Sequence, residues 1–504
     1  MSTSRQQYSI SQVKGAHKDL MAVEDALNSG DIERAQSECE YLLESYPDYF
    51  GALRSLGKIQ MERGVYSAAL PHLVRAALIS PDDWETLTNL GKAQLEIDAE
   101  KTAIDSLERA CQIAPGRSAS QLFLGEAFSR DGNHSRALRA FETASELDAS
   151  DPNVQIQLVT NYVRLGRYRD AEKVAASALS MPLTREQRTV VCFTLSEMPH
   201  LPDDTDLLAV LDELGNGDDT GTNRAMLHYA RAATLHKLGR RDEAWTCWND
   251  INREIAEKTT LARETYLMQG EDLLHSVTRW RRPVPRKSRG SKTPVSLFIL
   301  GPSRSGKSTL EQLVASSDGV KTGLENNIVR NTARRVSQKA GLLTEDLLAN
   351  ISDDKATLIE TTYHEQLTAV AESARLLTIT HPSVIYDVGY LTECVPEARF
   401  AFMRRDKDDT VFRIFTRLYR SGSNQFAYDL SDIREHLAQY NKMVDAWISK
   451  LGERAIVISY EDMAVNPLDA LNKIAALCGL QSSNEAPEIA DDRGCAKAYR
   501  GHLS

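Results

Sequence analysis

The sequence lacks paired cysteines, long apolar runs and any excess of positive charge. Its seven cysteines are scattered through 504 residues without one CxxC pair. That excludes a disulfide framework and a zinc knuckle, and predicts small buried thiols in a reducing compartment. The longest apolar runs, Val295–Leu300 among them, fall far short of the ~18 residues that a membrane span requires. Residues 1–12 are polar, with no basic stretch leading into an apolar one, so no secretory signal is expected and the predicted location is cytoplasmic. Composition is otherwise ordinary: 42% hydrophobic and 26% charged, which excludes wholesale disorder and collagen-like order. At roughly 100–200 residues per domain, the length predicts two to four domains.

The net charge of −11 is unevenly spread. Up to residue 280 the chain holds 30 basic and 43 acidic residues, and after it 30 and 28. An acidic half joined to a near-neutral one predicts two separate tasks. A nucleic-acid partner is not expected, because phosphate binding needs clustered positive charge.

The acidic half repeats with a period of 34 residues. Pro47, Pro81 and Pro115 keep that spacing, as do Leu56-Gly57, Leu90-Gly91 and Leu124-Gly125. So do Ala35, Ala69, Ala103, Ala137 and Ala171, and also Ala76, Ala110, Ala144 and Ala178. Each unit reads as helix, turn (Gly30, Gly64, Gly132, Gly166), helix, then a Pro- or Asp-rich break. Alanine is expected where two antiparallel helices approach closely, and each glycine lets the next helix pack against the first. The pattern resembles the tetratricopeptide repeat (TPR) family over five units from about Gly15 to Met181. Residues 224–255, with Leu238-Gly239 and Ala244, resemble one more unit, and residues 260–277 read as a closing amphipathic helix. Stacked repeats make an all-α superhelix whose concave face suits a protein or peptide partner. An inert spacer or dimerisation arm is the plainer alternative.

Seven of the fourteen residues from Arg279 to Lys292 are Lys or Arg, with Pro283, Pro285 and Gly290 among them, which predicts an exposed linker. Val295–Leu300 then runs as a strand into Gly301-Pro302-Ser303-Arg304-Ser305-Gly306-Lys307-Ser308-Thr309 and an amphipathic segment. Strand, glycine-rich loop and helix in that order make a phosphate cradle, with backbone N–H groups and the helix N-terminus aimed at the anion. Residues 301–308 fit GxxxxGK[ST]. In a P-loop NTPase, Lys307 would hold the β/γ-phosphates, Ser308 a Mg²⁺ ion, and a strand ending Val384-Ile385-Tyr386-Asp387 the metal. That kinase or NTPase reading stays open on the loop pattern alone, as does a binding protein without turnover.

The loop with Leu310-Glu311 after it also resembles the 5′-phosphosulfate loop of the sulfotransferase family. Val395-Pro396-Glu397-Ala398-Arg399-Phe400 and Phe402-Met403-Arg404-Arg405-Asp406 resemble that family's strand presenting arginine to a 3′-phosphate. Phe426-Ala427-Tyr428-Asp429-Leu430 and Tyr460-Glu461-Asp462-Met463 with Pro467 resemble its later stations, in the family's order. The resemblance implies an α/β P-loop domain with a central parallel sheet over residues 294–504. Before it come a flexible N-terminus (1–14), the superhelix (15–277) and the basic linker (278–293).

It further implies 3′-phosphoadenosine-5′-phosphosulfate (PAPS) as donor, an acceptor hydroxyl as substrate, and no metal. Pro302, Ser303, Arg304, Ser305, Gly306, Lys307, Ser308 and Thr309 would hold the 5′-phosphosulfate. Arg405 would take the 3′-phosphate, and Tyr460, expected at the end of a strand Ala455–Tyr460, would border the nucleotide. Arg413 stands where the family has a serine, and as a second cation it would replace that hydroxyl in binding the nucleotide. Two bases compete for the acceptor proton: Glu325, placed as in tyrosylprotein sulfotransferases, and His381 in Thr380-His381-Pro382, placed as in cytosolic ones. The family's lysine before that histidine is absent, so Lys307 would supply the charge. Arg493-Gly494, Lys497 and Arg500-Gly501 resemble the basic loop that closes over the 3′-phosphate.

Overall fold

The computed structural model describes residues 20–203, 205–217, 220–280, 294–323, 326–341, 351–419, 424–489 and 491–503. The expected flexible N-terminus, nearly all of the basic linker and Glu325 lie outside these residues. Two compact units divide between Ala230 and Arg231, within helix Gly221–Lys237.

The first unit is a row of antiparallel helix pairs. Phe50–Glu62 pairs with Tyr66–Ile79, Trp84–Leu95 with Glu100–Ile113, Ser118–Arg130 with His134–Leu147, and Pro152–Arg164 with Tyr168–Leu179. All nine periodic alanines are fully buried. A Cβ on Gly57, Gly91 or Gly125 would lie 2.6, 2.4 or 2.4 Å from Leu73, Leu107 or Phe141 of the paired helix. The glycine is therefore a packing requirement: any side chain there pushes the two axes apart. The turns at Gly64, Gly132 and Gly166 need positive φ (73°, 83° and 72°), and Asp98, in the same register, adopts φ 56° without being glycine.

The second unit is a five-stranded, all-parallel sheet in the order β2-β3-β1-β4-β5. Its strands are β1 (Val295–Leu300), β2 (Val320–Thr322), β3 (Leu376–Ile379), β4 (Arg399–Arg404) and β5 (Ala455–Ser459). β1 is central and buried from Ser296 onward, so its residues alternate between two cores. Phe298 and Leu300 join the layer built on helices Asp353–Ala371 and Leu430–Leu451. Leu297 and Ile299 join the layer built on helices Lys307–Ala315 and Pro467–Cys478. Parallel strands with helices on both faces place a crevice at the strands' carboxyl ends.

Two local expectations change. The run ending at Asp387 is not a strand: Pro382–Tyr386 forms a 3₁₀ turn, because Pro382 sits at its first position and the His381 side chain caps it. β5 stops at Ser459, and Tyr460 opens the next helix, since the Ser459 side chain accepts from the Asp462 N–H as an N-cap.

Helices Arg241–Lys258 and Thr260–Arg279, which read as the end of the repeats, pack within the second unit. Trp245 stacks on Phe415 at 5.1 Å, Asn252 Nδ2 donates to the Phe415 carbonyl (2.8 Å), and Arg263 Nη2 pairs with Asp432 (2.6 Å). Lys450 Nζ donates to the Trp280 carbonyl at 2.7 Å, and the Trp280 ring meets Trp447 edge-on.

Candidate active site

Three adjacent strands deliver the chemistry. β1 leads into loop 301–306, β3 into Thr380 and His381, and β4 into Arg405. All of these residues except Ser305 line one open cleft of about 850 Å³.

The loop is tightly built. Gly306 has φ 96°, and a Cβ there would sit 2.4 Å from the Tyr460 ring, so the backbone lies directly on that side chain. A Cβ at Gly301 would lie 2.3 Å from Ser305 Oγ. Arg304 takes φ 66°, a conformation that costs an L-residue of this size roughly 1–2 kcal/mol. Lys307 is buried, and its ammonium donates to the carbonyls of Gly301 (2.8 Å) and Pro302 (3.0 Å), tying the loop to the first turn of its helix. Ser303 Oγ meets the Tyr419 hydroxyl at 2.9 Å, and Ser308 and Thr309 open the helix at the cleft wall. Ser305 lies behind the loop, buried, its hydroxyl without a hydrogen-bond partner among the described residues.

At the end of β4 the Arg405 side chain is 2% exposed. Its guanidinium lies 4.1 Å from the centroid of the Tyr460 ring, and its Nη1 is 3.5 Å from the Arg304 carbonyl. Tyr460 thus supports the loop through Gly306 and Arg405 through its face. Arg413, one helix later, pairs with the same carboxylate as Arg405, that of Asp492. The Nε atoms of Arg405 and Arg413 are buried and have no hydrogen-bond partner among the described residues. Burial, reinforced by the hydrogen bond to Asp492, pushes the Tyr460 hydroxyl up to about 12. Arg404 points elsewhere, pairing with Asp445 beside a smaller groove that also contains Lys407 and Arg434.

His381 caps the turn after β3. Its Nδ1 accepts from the Ser383 N–H (3.3 Å) and contacts Ser383 Oγ (2.9 Å). The lining also includes the rings of Tyr266, Tyr386, Tyr419, His436 and Tyr440. His436 stacks on Phe426 at 3.8 Å, and burial lowers its imidazole to about 4, so it stays neutral at working pH. Among the described residues the lining holds Arg304, Lys307, Arg330, Arg405 and Arg413, with Asp492 as its carboxylate. A cleft with that balance favours a polyanion.

Several motif residues prove structural. Glu311 accepts from Thr378 (2.6 Å) and joins the loop helix to β3. Asp429 caps helix Leu430–Leu451, and Glu461 accepts from the Asp406 N–H (2.9 Å), joining the ends of β4 and β5. Arg399 bonds carbonyls of Pro396, Ala398 and Leu477. Sequence reasoning did not single out Tyr266, Arg330, Tyr386, Tyr419, His436, Tyr440 or Asp492. None was given a role at the site: Tyr386 stood in the run read as a strand ending at Asp387, and Asp492 beside the basic Arg493. Among the described residues no group of three or more His, Cys, Asp or Glu side chains is placed to hold a metal ion.

Residues 294–484 match the model of the Sulfotransferase family, and residues 20–83 match a Tetratricopeptide repeat model. Protein-tyrosine sulfotransferase 2 of Gallus gallus is 24% identical over 204 residues, 39% of this chain, and the chain spans 54% of that enzyme's length. Among solved structures, a MamA protein is 23% identical with a TM-score of 0.31, over 32% of this chain and 90% of its own. A tetratricopeptide repeat protein from Parabacteroides merdae is 16% identical with a TM-score of 0.37, over 47% of this chain and 92% of its own. The chain thus joins a segment similar to tetratricopeptide repeats to one that matches the Sulfotransferase family model.

Proposed function

We propose that the chain is a cytoplasmic sulfotransferase that uses PAPS as donor and transfers its sulfuryl group to an acceptor hydroxyl, while the repeats bind a protein or peptide that brings the acceptor. Two cationic stations in one cleft carry the reading: the loop after β1 and the Arg405 and Arg413 guanidiniums after β4. A nucleotide phosphorylated at both 5′ and 3′ positions has one anionic group for each. The fit rests on this chain's own atoms, namely the bare Gly306 backbone and the buried donors Arg405 Nε and Arg413 Nε, which have no partner among the described residues.

The loop N–H groups, Arg304, Ser308 and Thr309 hold the 5′-phosphosulfate in this reading, and Arg405 with Arg413 holds the 3′-phosphate. The planar fork of arginine suits paired, charge-assisted bonds to phosphate. PAPS, when bound, supplies a sulfuryl group on a phosphate leaving group. Lys307, held inside the loop by two carbonyls, places a fixed positive charge beside the phosphate oxygen that gains charge. Such preorganised charge is the main tool for transfers of this type. The acceptor proton passes to His381 or to Glu325. His381 lines the cleft, and Ser383 fixes its ring orientation through Nδ1. Tyr266, Tyr386 and Tyr440 line the same cleft and would flank the acceptor with apolar ring surface.

Calorimetry of the full chain decides between this and the nucleotide-triphosphate reading. Binding of adenosine 3′,5′-bisphosphate in EDTA is expected; binding only of Mg-ATP overturns the proposal.

A further inference from the structure

Asp492 sits where the proposed function puts an anion that belongs to the ligand. Its Oδ1 accepts from Arg405 Nη2 (2.8 Å) and from the Tyr460 hydroxyl, its Oδ2 pairs with Arg413, and its backbone carbonyl accepts from Arg405 Nη2 at 3.0 Å. Two guanidiniums and a phenol on one carboxylate form a donor set suited to a phosphate dianion. We propose that Asp492 is an internal competitor for the 3′-phosphate station, setting the affinity for nucleotides that carry a 3′-phosphate. The inference rests on the sulfotransferase reading of the cleft.

The chain on either side of Asp492 is held in different ways. Downstream, both oxygens of the Asp409 carboxylate accept backbone N–H bonds, from Gly494 and from Ala496 (2.5 and 2.9 Å). Tyr499 is fully buried, stacks on Phe412 at 4.6 Å and meets His236 Nδ1 at 2.7 Å. These contacts anchor residues 494–499 without using Arg405 or Arg413. Upstream, Asp491 bonds Arg493, its own near neighbour, through the backbone N–H and the guanidinium. Asp492 itself is one-third exposed and held by the site's cations. Its side chain can therefore leave the arginines while the anchored segment stays docked. A dianion with more acceptor oxygens then replaces a monoanionic carboxylate on the same donors.

The consequence is selective. A resident group filling the station in nine-tenths of molecules weakens the apparent affinity about tenfold. The effect reaches only ligands that need that station. Asp492→Asn keeps the size and removes the charge. Calorimetry on the full chain with adenosine 3′,5′-bisphosphate is expected to show binding tightened about tenfold or more, with adenosine 5′-monophosphate changed less than twofold. Asp492→Glu, which retains the carboxylate, is expected to stay within about threefold of the parent for both ligands, and matching thermal melts establish that each variant is folded. Bisphosphate binding that is unchanged or weaker in Asp492→Asn, with the parent binding normally, overturns the competitor role and makes Asp492 a residue that orients the arginines. Equal tightening for both nucleotides also overturns it. If neither parent nor variant binds the bisphosphate while Mg-ATP binds, the sulfotransferase reading itself fails, and this inference with it.

Discussion

Replacing Arg405 by alanine removes the most buried cation of the proposed 3′-phosphate station. The side chain is 2% exposed and makes charge-assisted bonds through Nη2. Truncating one partner of such a buried charge pair costs ~2–5 kcal/mol. At 1.4 kcal/mol per tenfold, that range is about 30- to 3,000-fold in affinity. Two features favour the lower end: Arg413 remains, and Asp492 loses one of its two guanidinium partners and so competes less. The expected loss for adenosine 3′,5′-bisphosphate is therefore ~30–100-fold, while adenosine 5′-monophosphate loses little. Arg405→Lys should fall between, since it keeps charge but not the planar fork. The cation over the Tyr460 ring at 4.1 Å is lost too, so a small fall in melting temperature is expected, worth ~0.5–1 kcal/mol. Isothermal calorimetry with both nucleotides reads the result. Equal losses for the two, or a bisphosphate loss under about threefold, would refute the assignment of the station.

Four further outcomes are expected. Gly306→Ala forces a side chain into the Tyr460 ring at a φ of 96°, so donor affinity should fall at least ~10-fold with the fold intact by circular dichroism; unchanged affinity contradicts the cradle. His381→Ala and Glu325→Gln should both spare bisphosphate binding, and the one that abolishes PAPS turnover identifies the base; full turnover in both variants dismisses both. Asp98→Gly relieves a positive φ of 56° and should stabilise the repeats by about 0.5–1 kcal/mol in urea unfolding, a loss of stability being the contrary result. Burial pushes the Asp387 carboxyl up to about 6, against the pull of Arg330. The folded chain then binds more protons than the unfolded one between about pH 4 and 6, and stability falls as pH rises through that window. Asp387→Asn should flatten the melting temperature over that range, whereas parallel curves for parent and variant contradict the assignment.

The repeat array was legible because its markers are packing constraints. Ala69, Ala103 and Ala137 are fully buried, and Gly57, Gly91 and Gly125 each face a side chain that leaves no room for a Cβ. A constraint that recurs every 34 residues is visible in sequence. Asp98 was not, because aspartate is uncommon at positive φ and carries no such mark. The placement of the loop after β1 and of Arg405 after β4 was legible because each follows directly on a short apolar run that reads as a strand. The 382–386 turn was missed because Val384, Ile385 and Tyr386 are as apolar as a buried strand, and the capping by His381 is a tertiary detail. Tyr266 was hidden in a helix that reads as repeat periphery yet lines the cleft. Asp492 was hidden by distance, 87 residues from the Arg405 it holds. Composition assigns such a carboxylate to solvent; only the fold puts it between two arginines.

A crystal structure of the full chain with adenosine 3′,5′-bisphosphate, grown without divalent metal, locates both phosphates at once. The 5′-phosphate is expected on loop 301–306, the 3′-phosphate bonded to Arg405 and Arg413, and Asp492 displaced from both. A nucleotide seated with no phosphate near Arg405, or no nucleotide in the cleft at all, contradicts that placement.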